Sequence, residues 1–159
     1  MERHRKALCL ALLLAASATP LGAEPSEAIE TRLEARRVIH AADGGESLAP
    51  AESAKPGDVI EYVAIYRNTG SQPVRNLVAT LPIPAHTEWV PGSARPANAE
   101  ASRDAREFAA PPLKRIAKRE GQAVEEQVPY GEYRYLRWYA PELGGAQTLR
   151  FSARVKVVE

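Results

Sequence analysis

Hydrophobic and polar positions alternate most cleanly at the C-terminal end of the chain. Leu149, Phe151, Ala153, Val155 and Val157 interleave with Thr148, Arg150, Ser152, Arg154 and Lys156, giving one apolar and one cationic face. A period of two is the signature of a half-buried strand. Residues 133–139 (YRYLRWY) repeat the pattern, with Leu136 and Trp138 on one face and Tyr135, Arg137 and Tyr139 on the other. Residues 59–66 (VIEYVAIY) are apolar on both faces at several points, which predicts a central strand. Near the N-terminal side, Ile29, Thr31, Leu33 and Ala35 alternate with charged residues, predicting a strand that runs on through Val38 and Ile39. A helix competes there, because Glu and Arg favour one. Residues 74–81 and 87–90 predict two further strands.

Turn residues punctuate these runs. Asp43-Gly44-Gly45, Pro56-Gly57, Asn68-Thr69-Gly70-Ser71 and Pro91-Gly92-Ser93 each lie between two of them. Gly57 and Gly70 are expected where a side chain would clash, and Asn68 is expected to bond its own backbone across the turn. Pro82 and Pro84 cannot donate to a ladder, so they end a strand and mark it as an edge. Trp89 and Trp138 are the expected core anchors. Short strands at intervals of roughly ten residues, separated by Pro/Gly turns, predict an all-β chain forming an immunoglobulin-like antiparallel β-sandwich. Residues 94–130, rich in Ala, Arg, Glu and Pro, break the pattern. They are expected to be an irregular insertion or long loop, with a hairpin near Phe108 and Ile116 or a short helix as alternatives.

The first 23 residues read differently. Arg3, Arg5 and Lys6 precede an apolar run from Ala7 to Ala18 and then small residues. Such a run rises about 18 Å as a helix, too short for a hydrocarbon core of about 30 Å. The pattern predicts a secretory signal peptide over residues 1–23, cut after Ala23, with Ala18 as the alternative. Cys9 lies early in the run rather than just past its end, which argues against a lipid anchor. Removing this leader takes away three Lys/Arg and Glu2, so the formal charge falls from +1 to −1, and the only cysteine goes with it. Residues 24–159 are then expected to form a single domain with no transmembrane segment, in the periplasm or at the cell surface. A cysteine-free chain has no disulfides, thiol catalysis or thiolate zinc, and its near-neutral charge argues against a nucleic-acid partner.

Little in the remaining residues suggests chemistry. His40 and His86 stand in no ligand spacing, and no Gly-x-Ser-x-Gly elbow, glycine-rich phosphate loop or acidic calcium loop occurs. Glu125-Glu126 reads as a solvated pair in a loop, and Lys114, Arg115, Lys118 and Arg119 are offset by Glu120, Glu125 and Glu126. No enzyme, cofactor or metal is therefore expected. The one suggestive group is Tyr130, Tyr133, Tyr135, Arg137 and Tyr139. Tyrosines alternating with arginines on an outer sheet face can stack on sugars or peptides, although cross-strand packing under arginine stems is the more ordinary use. Tyr133, Tyr135, Arg137 and Tyr139 are thus the candidate partner-binding surface.

Four blocks together carry a resemblance. They are residues 55–62 (KPGDVIEY) continued by 66–70 (YRNTG), then 82–84 (PIP) with 87–94 (TEWVPGSA), then 133–138 (YRYLRW), then 149–155 (LRFSARV). In content and order they resemble the bacterial exported conserved-repeat family called domain of unknown function eleven, over about residues 29–93 and 131–158. That resemblance implies an immunoglobulin-like sandwich, often in tandem arrays on bacterial surfaces; here a single copy is present, and no catalytic residues are implied. The expected role is an exported, non-catalytic structural or interaction module whose partner is an unknown envelope protein or polymer. A glycan- or polymer-binding module is the alternative.

Overall fold

The computed structural model describes residues 28–159, so the leader expected over residues 1–23 lies outside the described residues. Among the described residues, ten strands form three antiparallel sheets. The largest comprises β1 (Ile29–His40), β2 (Glu46–Pro50), β3 (Val59–Asn68), β5 (Thr87–Trp89) and β10 (Thr148–Val157), in the order β2-β1-β3-β10-β5. The second comprises β4 (Val74–Pro82), β6 (Glu100–Ser102) and β9 (Tyr135–Leu143), in the order β4-β9-β6. A hairpin of β7 (Lys114–Arg119) and β8 (Gln122–Gln127) forms the third.

The two larger sheets close on one core, a β-sandwich-like arrangement. From β3 and β10 it takes Ile60, Ala64, Phe151, Ala153 and Val155; from β4 and β9 it takes Ala79, Leu81, Leu136, Trp138 and Ala140. The Trp138 and Phe151 rings meet across the gap, 5.4 Å between centroids, and Tyr66 packs edge-on against Phe151 at 5.8 Å. The Trp138 indole donates to the Pro96 carbonyl at 2.7 Å, and Thr80 N–H donates to Tyr66 Oη at 3.2 Å. The polar handles of Trp138 and Tyr66 are therefore satisfied, as burial demands.

The strands of the alternating segments form where expected. β3 is central, paired along its length with β1 and β10, and its outer-face residues Val59, Val63 and Ile65 are half-buried. Residues 29–40 form a strand and not a helix, because ten cross-strand pairs with β3 outweigh the intrinsic preference of Glu and Arg. β4 is an edge strand ending at Pro82. β2 went unmarked in sequence, since only Leu48 and Ala49 break its polarity.

Two turns correct the expectation about glycine. Gly57 is needed for its backbone, at φ +95°, with open space where a side chain would go; at Gly70 a methyl would make only ordinary contacts. The position with no room is Gly145, where a methyl would run into the backbone of Ser71. Asn68 behaves as expected and does more. Its Oδ1 accepts from Gly70 N–H at 2.9 Å, while its amide donates to the carbonyls of Gln72 (2.7 Å) and Leu143 (3.1 Å), tying the end of β3 to the end of β9.

Residues 94–130 are not an irregular insertion. They supply β6 to the second sheet and bury Ala94, Ala99, Ala101 and Val128 in the core. Alanines and isolated contacts carry no apolar period, which is why this packing left no pattern. The hairpin alternative is realised at β7 and β8, turning through Glu120 and Gly121, both with positive φ (52° and 84°), as a tight two-residue hairpin turn requires. Glu125 and Glu126 therefore stand on a strand, not in a loop, and point to opposite faces of it.

Candidate functional site

β9 positions the aromatic–arginine group through its pleat. Leu136, Trp138 and Ala140 point into the core, so Tyr135, Arg137 and Tyr139 must point out. Pairing with the flanking strands sets their neighbours: Tyr139 lies opposite Val78, Arg137 between Thr80 and Glu100, and Tyr135 between Pro82 and Ser102. Tyr139 is 58% exposed and Val78 50%, making a small apolar step on the outer face. The Tyr139 hydroxyl hydrogen-bonds Asn76 Oδ1 at 2.5 Å, which fixes the ring's direction.

Arg137 is already partnered. Its Nε and Nη2 both donate to Glu100 Oε2, at 3.1 and 2.5 Å, and its guanidinium lies 3.9 Å above the centre of the Phe108 ring. A planar guanidinium both stacks and chelates, so this arrangement holds Arg137 in one orientation and neutralises it. The surface is thus ordered, aromatic and close to electrically neutral.

Tyr133 does not belong to it. The residue is fully buried, stacked on Trp89 (5.7 Å) and edge-on to Tyr130 (5.3 Å), and its Oη accepts from Leu113 N–H at 2.6 Å. Burial pushes the Tyr133 hydroxyl pKa up, with the Leu113 hydrogen bond acting in the opposite sense. The reason is local: Tyr130–Glu132 form a single 3-10 turn, and the period-2 pleat begins only at Tyr135. Extending the alternation back to residue 133 assigned Tyr133 to the wrong face.

Tyr130 and Trp89 instead border a concavity of about 240 Å³ whose wall includes Pro91, Ala99, Pro111 and Pro112. Among the described residues, the Trp89 Nε1 is buried without an acceptor. The clustered prolines were the only sequence signal for this feature, and they read equally well as loop punctuation.

Most charged side chains of β7 and β8 are ion-paired. Lys114 meets Glu125 at 2.8 Å; Arg115 meets Glu126 (2.7 Å) and Glu132 (2.8 Å), and Arg119 meets Glu126 (2.9 Å). Hydrogen bonds from Arg115 and Arg119 hold the Glu126 carboxyl below its usual range. His40 is exposed beside Glu46, and the His86 carbonyl caps Val158 N–H. Among the described residues no three His, Cys, Asp or Glu side chains are grouped to hold a metal, and no helix is long and apolar enough to cross a membrane. No family model matches the chain, and neither does a curated protein or a solved structure.

Proposed function

We propose that this chain is an exported, non-catalytic, immunoglobulin-like module of the cell envelope that holds a partner protein on the outer face of β4 and β9. The reading rests above all on Arg137. Locked by Glu100 and covered by Phe108, it leaves Tyr139 and Val78 as a rigid and nearly neutral contact surface. Preformed aromatic surfaces lose little entropy on binding. Kinship with the exported conserved-repeat family is part of the proposal. Its blocks fall on structural landmarks: residues 55–70 on β3 and its two turns, 82–94 on the end of β4 and on β5, 133–138 on the start of β9 and the two residues before it, 149–155 on β10.

The second reading, an envelope-glycan binder, is favoured by the Tyr139 ring, exposed and held in one direction as sugar-stacking rings are. One experiment separates them. The purified chain and its Tyr135→Ala/Tyr139→Ala variant are tested for retention on isolated peptidoglycan sacculi and on envelope proteins freed of glycan. The proposal expects retention on the protein fraction, weakened at least about tenfold in the variant, as for loss of aromatic anchors. Retention on sacculi alone selects the glycan reading, and retention that ignores both tyrosines removes this face from either.

A further inference from the structure

Among the described residues, β1 leaves half of its length unpaired on one side. β2 covers only Arg36 to His40, so β1 from Ile29 to Ala35 is an open edge of the five-stranded sheet. In an antiparallel ladder each residue sends its N–H and C=O to the same side, alternating along the strand. The Ala28 carbonyl accepts from Thr69 N–H on the β3 side, and Ala41 N–H donates to Gly45 on the β2 side. Even-numbered residues therefore bond β3, and Thr31, Leu33 and Ala35 present their backbone groups to the open edge.

The side chains of this edge are self-complementary. Glu30, Arg32, Glu34 and Arg36 share the outer face and alternate in sign about Leu33. Leu33 lies opposite Ala64 on the core side, yet it is 50% exposed, because β4 packs over β3 and β10 and leaves β1 outside its footprint. We propose that this edge pairs with the same edge of a second copy of the chain, antiparallel about a two-fold axis at Leu33, joining two five-stranded sheets into one.

In that register Leu33 faces Leu33, and Thr31 faces Ala35. Arg32 of each copy lies opposite Glu34 of the other. Three residue pairs exchanging two hydrogen bonds each give about six across the axis. The exposed leucines cover one another, and Arg32 exchanges its pairing with Glu34 of its own strand (3.4 Å) for the same group on the other copy. The charges also fix the register. A slip by one step in either direction sets Arg against Arg and Glu against Glu, and opposed like charges destabilise a ladder. Pro50, beside Arg36, limits the contact to the open segment. Isologous pairing closes at two copies, so this edge does not lead to fibres.

Sedimentation velocity over a concentration series tests the pairing. The purified chain should pass from monomer to dimer. Arg32→Glu and Glu34→Arg should each weaken the dimer by about tenfold to a hundredfold, since every central pair becomes like-charged. An equimolar mixture of the two variants should restore association as a heterodimer. In the mixed pair, both residues at positions 32 and 34 are acidic on one copy and basic on the other, so every central contact is again between opposite charges. Leu33→Pro, which removes an N–H that β3 does not use, should abolish the dimer with β1 still paired to β3. A chain that stays monomeric at every concentration overturns the proposal. So does a dimer indifferent to the charge changes, or one the mixed variants fail to restore.

Discussion

Replacing Trp138 with alanine is expected to cost about 3–5 kcal/mol of folding stability, the range for deleting a fully buried aromatic side chain. Trp138 is the largest fully buried side chain, it meets Phe151 of the opposite sheet, and it spans the gap between β9 and β10. Its loss also strands the Pro96 carbonyl, which accepts from the indole at 2.7 Å. Domains of ordinary stability have about 5–15 kcal/mol in total, so the variant should lose a third or more of a typical margin of about 10 kcal/mol. Tyr139→Ala, one residue along the same strand but facing solvent, should lose about 1 kcal/mol or less. Urea unfolding of the two variants side by side checks the pair. A Trp138→Ala loss as small as that of Tyr139→Ala would mean that β9 does not pack inward on this face.

Asn68→Ala should come next, at about 3 kcal/mol or more. The side chain is buried and makes three hydrogen bonds, to Gly70 N–H and to the carbonyls of Gln72 and Leu143. Truncation leaves those backbone groups without partners, and each stranded buried group costs about 1–3 kcal/mol. Asn68→Asp should not rescue it. A carboxylate keeps the bond from Gly70 but turns acceptor oxygens toward two carbonyls, in a site where a charge has no partner. The measurement is again the unfolding midpoint, with Thr69→Ala as the comparison, since its hydroxyl makes one exposed bond to Ala28. Equal effects at positions 68 and 69 would rule out Asn68 as the tie between the sheets.

Long alternating runs were legible because the pleat itself writes them. β3, β9 and β10 bury every second side chain over much of their length, and their sequences record that directly. The inward tryptophans, the edge position of β4 and the turn at Asn68 followed from equally local chemistry. What escaped was whatever depends on distant partners. β6 is three residues long and is recognised only by its pairing with β9; β2 exists because β1 turns back on itself at Asp43-Gly44-Gly45. Glu100 lies 37 residues from Arg137 in sequence, so nothing near β9 could announce that its arginine is neutralised. Tyr133 failed for a related reason. A single 3-10 turn shifted the phase just before the strand, and period-2 reasoning has no warning of where a pleat begins.

The same pleat logic gives the sharpest check of the architecture: residue-resolved amide exchange along β1 in dilute solution. The two-sheet arrangement with an open β1 edge requires an alternating record. The N–H groups of Glu30, Arg32 and Glu34, directed at β3, should exchange slowly, and those of Thr31, Leu33 and Ala35, directed at solvent, should exchange fast. Uniformly fast exchange from residue 29 to 35, or slow exchange at the odd positions instead, would contradict it.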